Sequence, residues 1–430
     1  MTARTPTRLI RMRSEPTFVP ADTRARLSLV LLLYFLGIIA TITLAPFRFA
    51  KPVHVQVLYL GEWFDVVANV LLFLPLGFLY PLTRENAPET SPLRVLALGA
   101  LLSAAIEFTQ IFEPGRFTSI VDVATNAAGA GLGALIARAV MRRFRVNARF
   151  VGRLSLEIPL VGLIYVLIPL LLVASFLSKG DYLRMLALLP LGLVGARLFS
   201  SVQRNHFGPN GLAGNSAMIL AAGVWMILGS FPVVLRYPLG GVALVGAVAL
   251  VTWYETSRQP TAALDRRFES EALRSAAPYL VAYLLMVIVL PLSAGIGPWH
   301  FDMGLTGPSN DVDAQMLQLL EPVATSTVLG WMLAEARGRR ELAFSRVAGR
   351  VAMECACVAL AMEASRGMQR GVGASGVQFM LVVVAGVFGA GMYHNQRAHV
   401  RWILTHRADG SHSARSAMIG STRVARRAGR

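Results

Sequence analysis

Apolar residues along this chain gather in runs of about 17–24 positions with few charges, separated by short polar stretches. A run of this length crosses the hydrocarbon core of a bilayer as one helix. The pattern therefore predicts an all-α fold, a polytopic transmembrane helical bundle of about 12 spans. These are placed at 27–45, 63–82, 93–112, 119–140, 156–177, 182–200, 213–234, 237–255, 276–296, 313–334, 347–365 and 375–394.

Positive charges are distributed unevenly between the two sides that this map creates. The 430-residue chain is 55% hydrophobic and 15% charged, which excludes an ordinary soluble domain. Of its 41 Lys and Arg residues, 33 fall on the side that holds both termini and 8 on the other side. Short cytoplasmic segments of membrane proteins are enriched in Lys and Arg. Both termini are therefore predicted to be cytoplasmic, and the net charge of +17 requires no nucleic-acid partner.

The same pattern divides the chain into five regions. They are a basic cytoplasmic leader (1–26), a four-helix transmembrane domain (27–145), a four-helix middle region (146–260), a further four-helix region (276–394) and a basic tail (395–430). The first apolar run follows an Arg-rich leader, as in a signal peptide, but its length suits a membrane helix that is retained. The tail lacks periodicity and is rich in Arg, Ser and Gly, which is typical of disorder.

A faint internal repeat links the first and last four-helix regions. A shift of 256 positions aligns Glu107 with Glu363, Ser119 with Ser375, and the segment 64–69 with 320–325. Gly and Ala recur by chance in membrane helices, so duplication and coincidence both stay open. Under this alignment the later region keeps the glutamate and loses the asparagines described next. It is then expected to be a packing or regulatory partner.

Polar residues recur at helical spacing inside three consecutive apolar runs of the first region. Two runs each carry Asp-x-x-x-Asn, and the run between them carries a polar stripe at steps of four and three. Residues three or four apart share a helix face. A carboxylate in the bilayer costs about 2.5–3.5 kcal/mol, so such groups usually face a protein interior and have a function. The set is Asp65 and Asn69, Asp122 and Asn126, and Ser103, Glu107 and Gln110.

The predicted topology gathers this set at the outer third of the membrane. The connection between the third and fourth runs is short, which makes them antiparallel neighbours. Arg116 lies at its tip and is expected to reach over the carboxylates. Together these residues form a candidate polar pocket that opens outward.

Structural roles compete with function at several of these positions. Helix capping explains Asp65 and Asp122 as well as function does, because both lie in a first helical turn and Ser119-x-x-Asp122 resembles a capping box. Hydrogen bonds between helices are the alternative for the two asparagines. Glu107 is the most informative residue, because an acid near a helix C-terminus opposes the macrodipole and needs a partner.

Other residues of the first region are ascribed to packing. Gly129 and Gly133, four apart, allow two helices to approach closely. Pro75 is expected to kink the second helix. Outside the first region, Cys355 and Cys357 of the region 276–394 are two apart and point to different faces, so neither a disulfide nor a metal site is expected.

The spaced positions together resemble the VanZ-like family, named for a protein linked to teicoplanin resistance. The resemblance covers about residues 27–145 and implies a helical membrane module of the bacterial envelope, in the cytoplasmic (inner) membrane. Its motifs here are Pro46-Phe47, Asp65-x-x-x-Asn69-x-x-x-Phe73-x-Pro75-Leu76-Gly77, Ser103-x-x-x-Glu107-x-x-Gln110, Pro114-x-Arg116-x-x-Ser119-x-x-Asp122-x-x-x-Asn126 and Gly129-x-x-x-Gly133.

Three functions are compatible with the residues. The favoured one is binding of an envelope head group, such as a lipid-linked glycan, a peptidoglycan precursor or a glycopeptide drug, with a role in resistance or envelope polysaccharide metabolism. A membrane-embedded enzyme that uses these carboxylates and a proton-coupled secondary transporter are the alternatives. The expected partners are membrane lipids and such a precursor. No cofactor and no metal ion are expected.

Overall fold

The computed structural model describes residues 23–44, 49–51, 57–58, 63–84, 90–113, 118–145, 159–178, 182–204, 212–258, 268–302, 312–337, 344–370 and 373–398. Most of the predicted leader and tail, the Pro46-Phe47 motif and Arg116 lie outside the described residues.

Twelve helices lie within the described part of the chain, one on each predicted apolar run. They are α1 (Thr23–Leu44), α2 (Trp63–Leu82), α3 (Pro92–Gln110), α4 (Ile120–Arg145), α5 (Pro159–Leu177), α6 (Tyr182–Val202, interrupted at Ala187), α7 (Leu212–Arg236), α8 (Pro238–Ser257), α9 (Phe268–Val289), α10 (Val312–Arg337), α11 (Phe344–Gly367) and α12 (Gly376–Ala398). A 3₁₀ turn at Leu290–Ala294 continues α9. The predicted all-α helical fold is confirmed.

Nine of these helices, α2–α9 and α12, are long and apolar enough to cross a membrane, judged by length and composition over the described residues. In α1 the apolar stretch is shorter, Ser28–Leu44. Helices α10 and α11 fall outside this group and carry several charged residues. The count of 12 spans and the cytoplasmic termini stay predictions.

The middle region forms the centre of the bundle. Of the residues in the most apolar stretch of each helix, 83% are buried in α5 and 72% in α6. In the other candidate spans fewer than half are buried. Helix α5 packs against α7 and α10, and α6 packs against α8 and α9. The outer helices instead expose large apolar side chains such as Leu101, Leu220 and Leu239. Apolar surface of this kind is compatible with lipid and costly in water.

Helices α2 and α4 pack closely against each other along their length. A Cβ atom at Gly77 would overlap the backbone carbonyl of Ala130, and one at Gly133 would overlap that of Leu74. Gly129 lies against the backbone of Val70 in the same way. Small residues are required here because the two backbones touch directly. Pro75 lies inside α2, which is helical on both sides of it.

Two pairs of very short parallel strands tie loops to helix starts. Strand β1 (Val57–Leu58) pairs with β2 (Thr118–Ser119), and β3 (Phe301–Asp302) pairs with β4 (Ala374–Ser375). The sequence did not predict them, because two residues are too few to show a period of two. Each pair joins the segment after one helix, α1 or α9, to the residues just before another, α4 or α12.

The packing of α10 on α12 matches that of α2 on α4. A Cβ at Gly330 would overlap the carbonyl of Gly386, and one at Gly389 would overlap that of Thr327. Gly77 and Gly330 are 253 positions apart (330 − 77), while Gly133 and Gly389 are 256 apart (389 − 133).

The sequence alignment of the second helix in each region is therefore wrong by three positions. By contact, Asp65 corresponds to Gln318 and Asn69 to Pro322, not to Glu321 and Thr325. The shift of 256 holds for the helices that contain Ser119 and Ser375.

Candidate functional site

The first contacts within the polar set join the end of α3 to the start of α4. Glu107 is 6% exposed, and its Oε2 accepts a hydrogen bond from the backbone N–H of Ser119 at 2.7 Å. Ser119 Oγ in turn accepts one from the N–H of Asp122 at 3.2 Å. The serine thus caps α4, as its spacing predicted, and the glutamate fixes the serine. We call this arrangement the Glu–Ser latch.

One turn into α4, Asn126 connects α4 to α3. Its Nδ2 donates a hydrogen bond to Ser103 Oγ at 2.9 Å, and both side chains are buried. Its Oδ1 is also buried and has no hydrogen-bond partner among the described residues. A buried acceptor without a donor costs about 1–3 kcal/mol. The contact between the two helices therefore explains the amide nitrogen of Asn126, which is hydrogen-bonded. It does not explain the buried amide oxygen.

Helix α2 adds its own Asp and Asn to this end of α4. The Asn69 side chain lies within hydrogen-bonding reach of the Asp122 carboxylate. Asp65 is near enough to Asp122 for the two charges to repel, and so is Glu107. The structure therefore brings both Asp-x-x-x-Asn pairs and Glu107 together. We call the side chains of Asp65, Asn69, Asp122 and Asn126 the acidic niche.

Of the residues predicted to form the polar pocket, Gln110 is placed differently and Arg116 lies outside the described residues. Gln110 Nε2 donates to the backbone carbonyl of Thr43 at 2.7 Å, so this amide ties α3 to the end of α1. Gln110 makes no described contact with the acids of the niche. Arg116 lies outside the described residues, so its predicted place over the carboxylates stays a prediction.

Residues 16–142 match the family model VanZ/LLP1. This part of the chain is a VanZ-type domain. The resemblance inferred from the spaced motifs is thereby confirmed. No curated protein and no solved structure was found to match the chain. With nine long apolar helices among the described residues, the chain is a multi-pass membrane protein that contains this VanZ-type region.

The Glu–Ser latch of the VanZ-type domain occurs a second time, outside the matched residues. Glu363 Oε2 accepts a hydrogen bond from Ser375 N–H at 2.6 Å, and Ser375 Oγ accepts one from Gln378 N–H at 3.1 Å. Gln378 stands where the VanZ-type domain has Asp122, and it is 1% exposed. The Glu–Ser latch therefore also occurs in a region without the acidic niche, which indicates an architectural role for the latch.

The second latch also differs from the first in charge. Arg366 Nη1 lies 3.7 Å from Glu363 Oε1, so a cation from the same helix compensates that carboxylate. No described salt bridge joins a cation to Asp65, Glu107 or Asp122. Three acids close to one another without such a partner hold an unfavourable local charge.

Sequence reasoning missed Glu113 near this site. It lies three residues past the end of α3 and is 4% exposed, so it is as buried as Glu107. In the sequence, Glu113 is an acidic residue beside Pro114 in a short connection between two helices. Such a residue is equally typical of a loop exposed to solvent. Among the described residues no group of three or more His, Cys, Asp or Glu is arranged to hold a metal ion.

Proposed function

We propose that the VanZ-type domain binds the polar head group of an envelope component in the acidic niche. The observation that carries this proposal is the juxtaposition of Asp65 and Asp122 beside Asn126, whose buried Oδ1 lacks a partner among the described residues. Carboxylates close to one another repel, and an orphaned acceptor destabilises the fold. A ligand that offers hydroxyl or amino donors relieves both costs.

The ligand class follows from the chemistry of these groups. Two aspartates and two asparagine oxygens are acceptors suited to hydroxyl-rich or amino-bearing head groups. Arg116, expected at the edge, suits a phosphate or carboxylate on the same ligand. A lipid-linked glycan or peptidoglycan precursor carries both kinds of group. Glu107 and Gln110 support the site by holding the start of α4 and the end of α1.

Asp122→Asn should weaken binding of a lipid-linked peptidoglycan precursor by tenfold or more. Hydrogen bonds to a charged group contribute about 1.5–3 kcal/mol, and each 1.4 kcal/mol is a factor of ten. The measurement is a titration of the full chain in nanodiscs with a fluorescent lipid-linked disaccharide-pentapeptide. Unchanged affinity in this variant would refute the niche as the binding site.

The matched control is Glu354→Gln, which removes one carboxylate that pairs with Arg337 at the far end of the bundle. It should leave precursor affinity within about twofold of the parent value.

A cellular assay runs in parallel, with teicoplanin susceptibility measured in bacteria that produce each variant. Arg116→Ala should abolish any protection while expression stays intact. Full protection in that variant would count against a phosphate or carboxylate contact.

A further inference from the structure

A groove opens between α2 and α3 at the end of the bundle opposite to the acidic niche. Its volume is about 370 Å³. Four polar residues line its rim: Tyr80 and Arg84 from the end of α2, and Thr90 and Arg94 from the start of α3. The positive-inside pattern predicts this end to be cytoplasmic. The groove plays no part in the function proposed above.

The floor of the groove is a single apolar face of α3. Ala97, Leu98 and Leu101 line it, and they follow Arg94 at steps of three, four and seven. These steps place all four residues on one face, descending about 10 Å from the arginine to Leu101. Leu98 is 42% exposed and Leu101 68% exposed. A charged rim thus leads directly onto an apolar track that points into the bilayer.

The two arginines are not neutralised by an acid among the described residues. Arg84 donates a hydrogen bond to the Tyr80 hydroxyl at 2.6 Å and lies 5.2 Å from the centre of its ring. Arg94 is exposed and forms no described ion pair. Elsewhere the chain compensates its arginines differently, since Arg197 lies 2.8 Å from Glu255.

The first turn of α3 adds to the positive character of the rim. Ser91 precedes it and makes no side-chain capping hydrogen bond. Pro92 has no N–H, and the N–H groups of Arg94 and Val95 donate to the Ser91 carbonyl, so among the described bonds the Leu93 N–H keeps its capacity to donate. The positive end of the helix macrodipole lies at the same place. These features favour an anion, and the apolar floor favours an attached hydrocarbon chain.

We propose that this groove binds an anionic phospholipid of the cytoplasmic leaflet. The phosphodiester lies between Arg84 and Arg94, which donate charge-assisted hydrogen bonds to its oxygens. One acyl chain runs along Ala97, Leu98 and Leu101. The bound lipid would join the ends of α2 and α3 across the segment that links them.

Arg84→Ala combined with Arg94→Ala should weaken phosphatidylglycerol binding by about tenfold or more. Each basic residue near a membrane surface contributes about a factor of five to attraction of anionic lipid. The measurement is native mass spectrometry of the delipidated full chain, titrated with dioleoyl phosphatidylglycerol and, separately, with dioleoyl phosphatidylcholine. The parent chain should prefer the anionic lipid, and the double variant should show no preference.

The matched control is Arg346→Ala combined with Arg350→Ala, which removes two exposed arginines from the start of α11 at the same predicted face. Its effect on phosphatidylglycerol affinity should be less than twofold. An equal loss in both double variants would mean general surface attraction and would overturn the proposal.

A second variant separates a lipid from a free anion. Leu101→Asn should weaken phosphatidylglycerol binding while the charge of the rim is unchanged. Soluble glycerol phosphate, added in excess, should not displace the lipid. If it competes on equal terms, or if Leu101→Asn has no effect, the groove is a phosphate site and not a phospholipid site.

Discussion

Gly77→Ala should lower the free energy of unfolding by about 1–3 kcal/mol, the usual cost of forcing extra atoms into a packed core. The added methyl group would collide with the backbone carbonyl of Ala130, which cannot rotate away as a side chain can. Helices α2 and α4 would have to separate, and the acidic niche is built across that contact. The variant should therefore also lose precursor binding. Unfolding of the full chain in detergent, followed by tryptophan fluorescence, gives the stability change.

Gly246→Ala is the matched control for this substitution. Gly246 lies inside α8, and nothing lies within 4 Å of the Cβ that it would gain. Alanine is favoured over glycine within a helix by about 0.5–1 kcal/mol, so this variant should be unchanged or slightly more stable. Gly330→Ala should resemble Gly77→Ala, because its Cβ would meet the carbonyl of Gly386. Equal stability of Gly77→Ala and Gly246→Ala would contradict direct backbone contact.

Glu107→Ala should destabilise the VanZ-type domain by about 1–3 kcal/mol, because the buried N–H of Ser119 would lose its acceptor. The start of α4, and with it Asp122, would no longer be held in place. Glu363→Ala should have at least as large an effect, because the Ser375 N–H loses its acceptor and Arg366 loses its carboxylate partner. The measurement is again the unfolding midpoint of the full chain in detergent.

Glu107→Gln distinguishes a positioning residue from a ligand contact. Glutamine keeps an oxygen that can accept a hydrogen bond from the Ser119 N–H. Glu107→Gln should therefore retain most of the stability that Glu107→Ala loses. If Glu107 acts through the latch, precursor affinity should also stay within about threefold of the parent value. A stable Glu107→Gln variant without precursor binding would instead place this carboxylate on the ligand. Glu363→Gln serves as the comparison, because it alters the second latch and leaves the acidic niche untouched.

Much of the fold could be predicted from the sequence for a simple physical reason. In a bilayer every backbone polar group must be satisfied within the protein, so an apolar run of sufficient length becomes a helix. The runs at 63–82 and 93–112 accordingly appear as α2 (Trp63–Leu82) and α3 (Pro92–Gln110), with ends within two residues. Helical spacing likewise predicted that Asn69 and Asp65 share a face, since that depends only on 3.6 residues per turn.

The contacts between helices were decided by the tertiary structure. Spacing could not reveal that Gln110 reaches the end of α1, because that contact spans 67 positions. The short strand pairs were also invisible, since their hydrogen bonds join segments that are distant in sequence.

The different roles of the polar residues show most clearly what the sequence could not reveal. From the sequence alone, Glu107 is an unexplained acid near a helix end and the strongest candidate for ligand contact. In the folded chain its carboxylate accepts the Ser119 N–H, and Glu363 repeats that bond where the niche is absent. The sequence determined which polar residues lie on each helix face, because helix geometry is local. Only the packing of α2, α3 and α4 decided which of them bond to the rest of the protein and which keep unmet hydrogen-bonding capacity, because hydrogen-bond partners depend on distances across the fold.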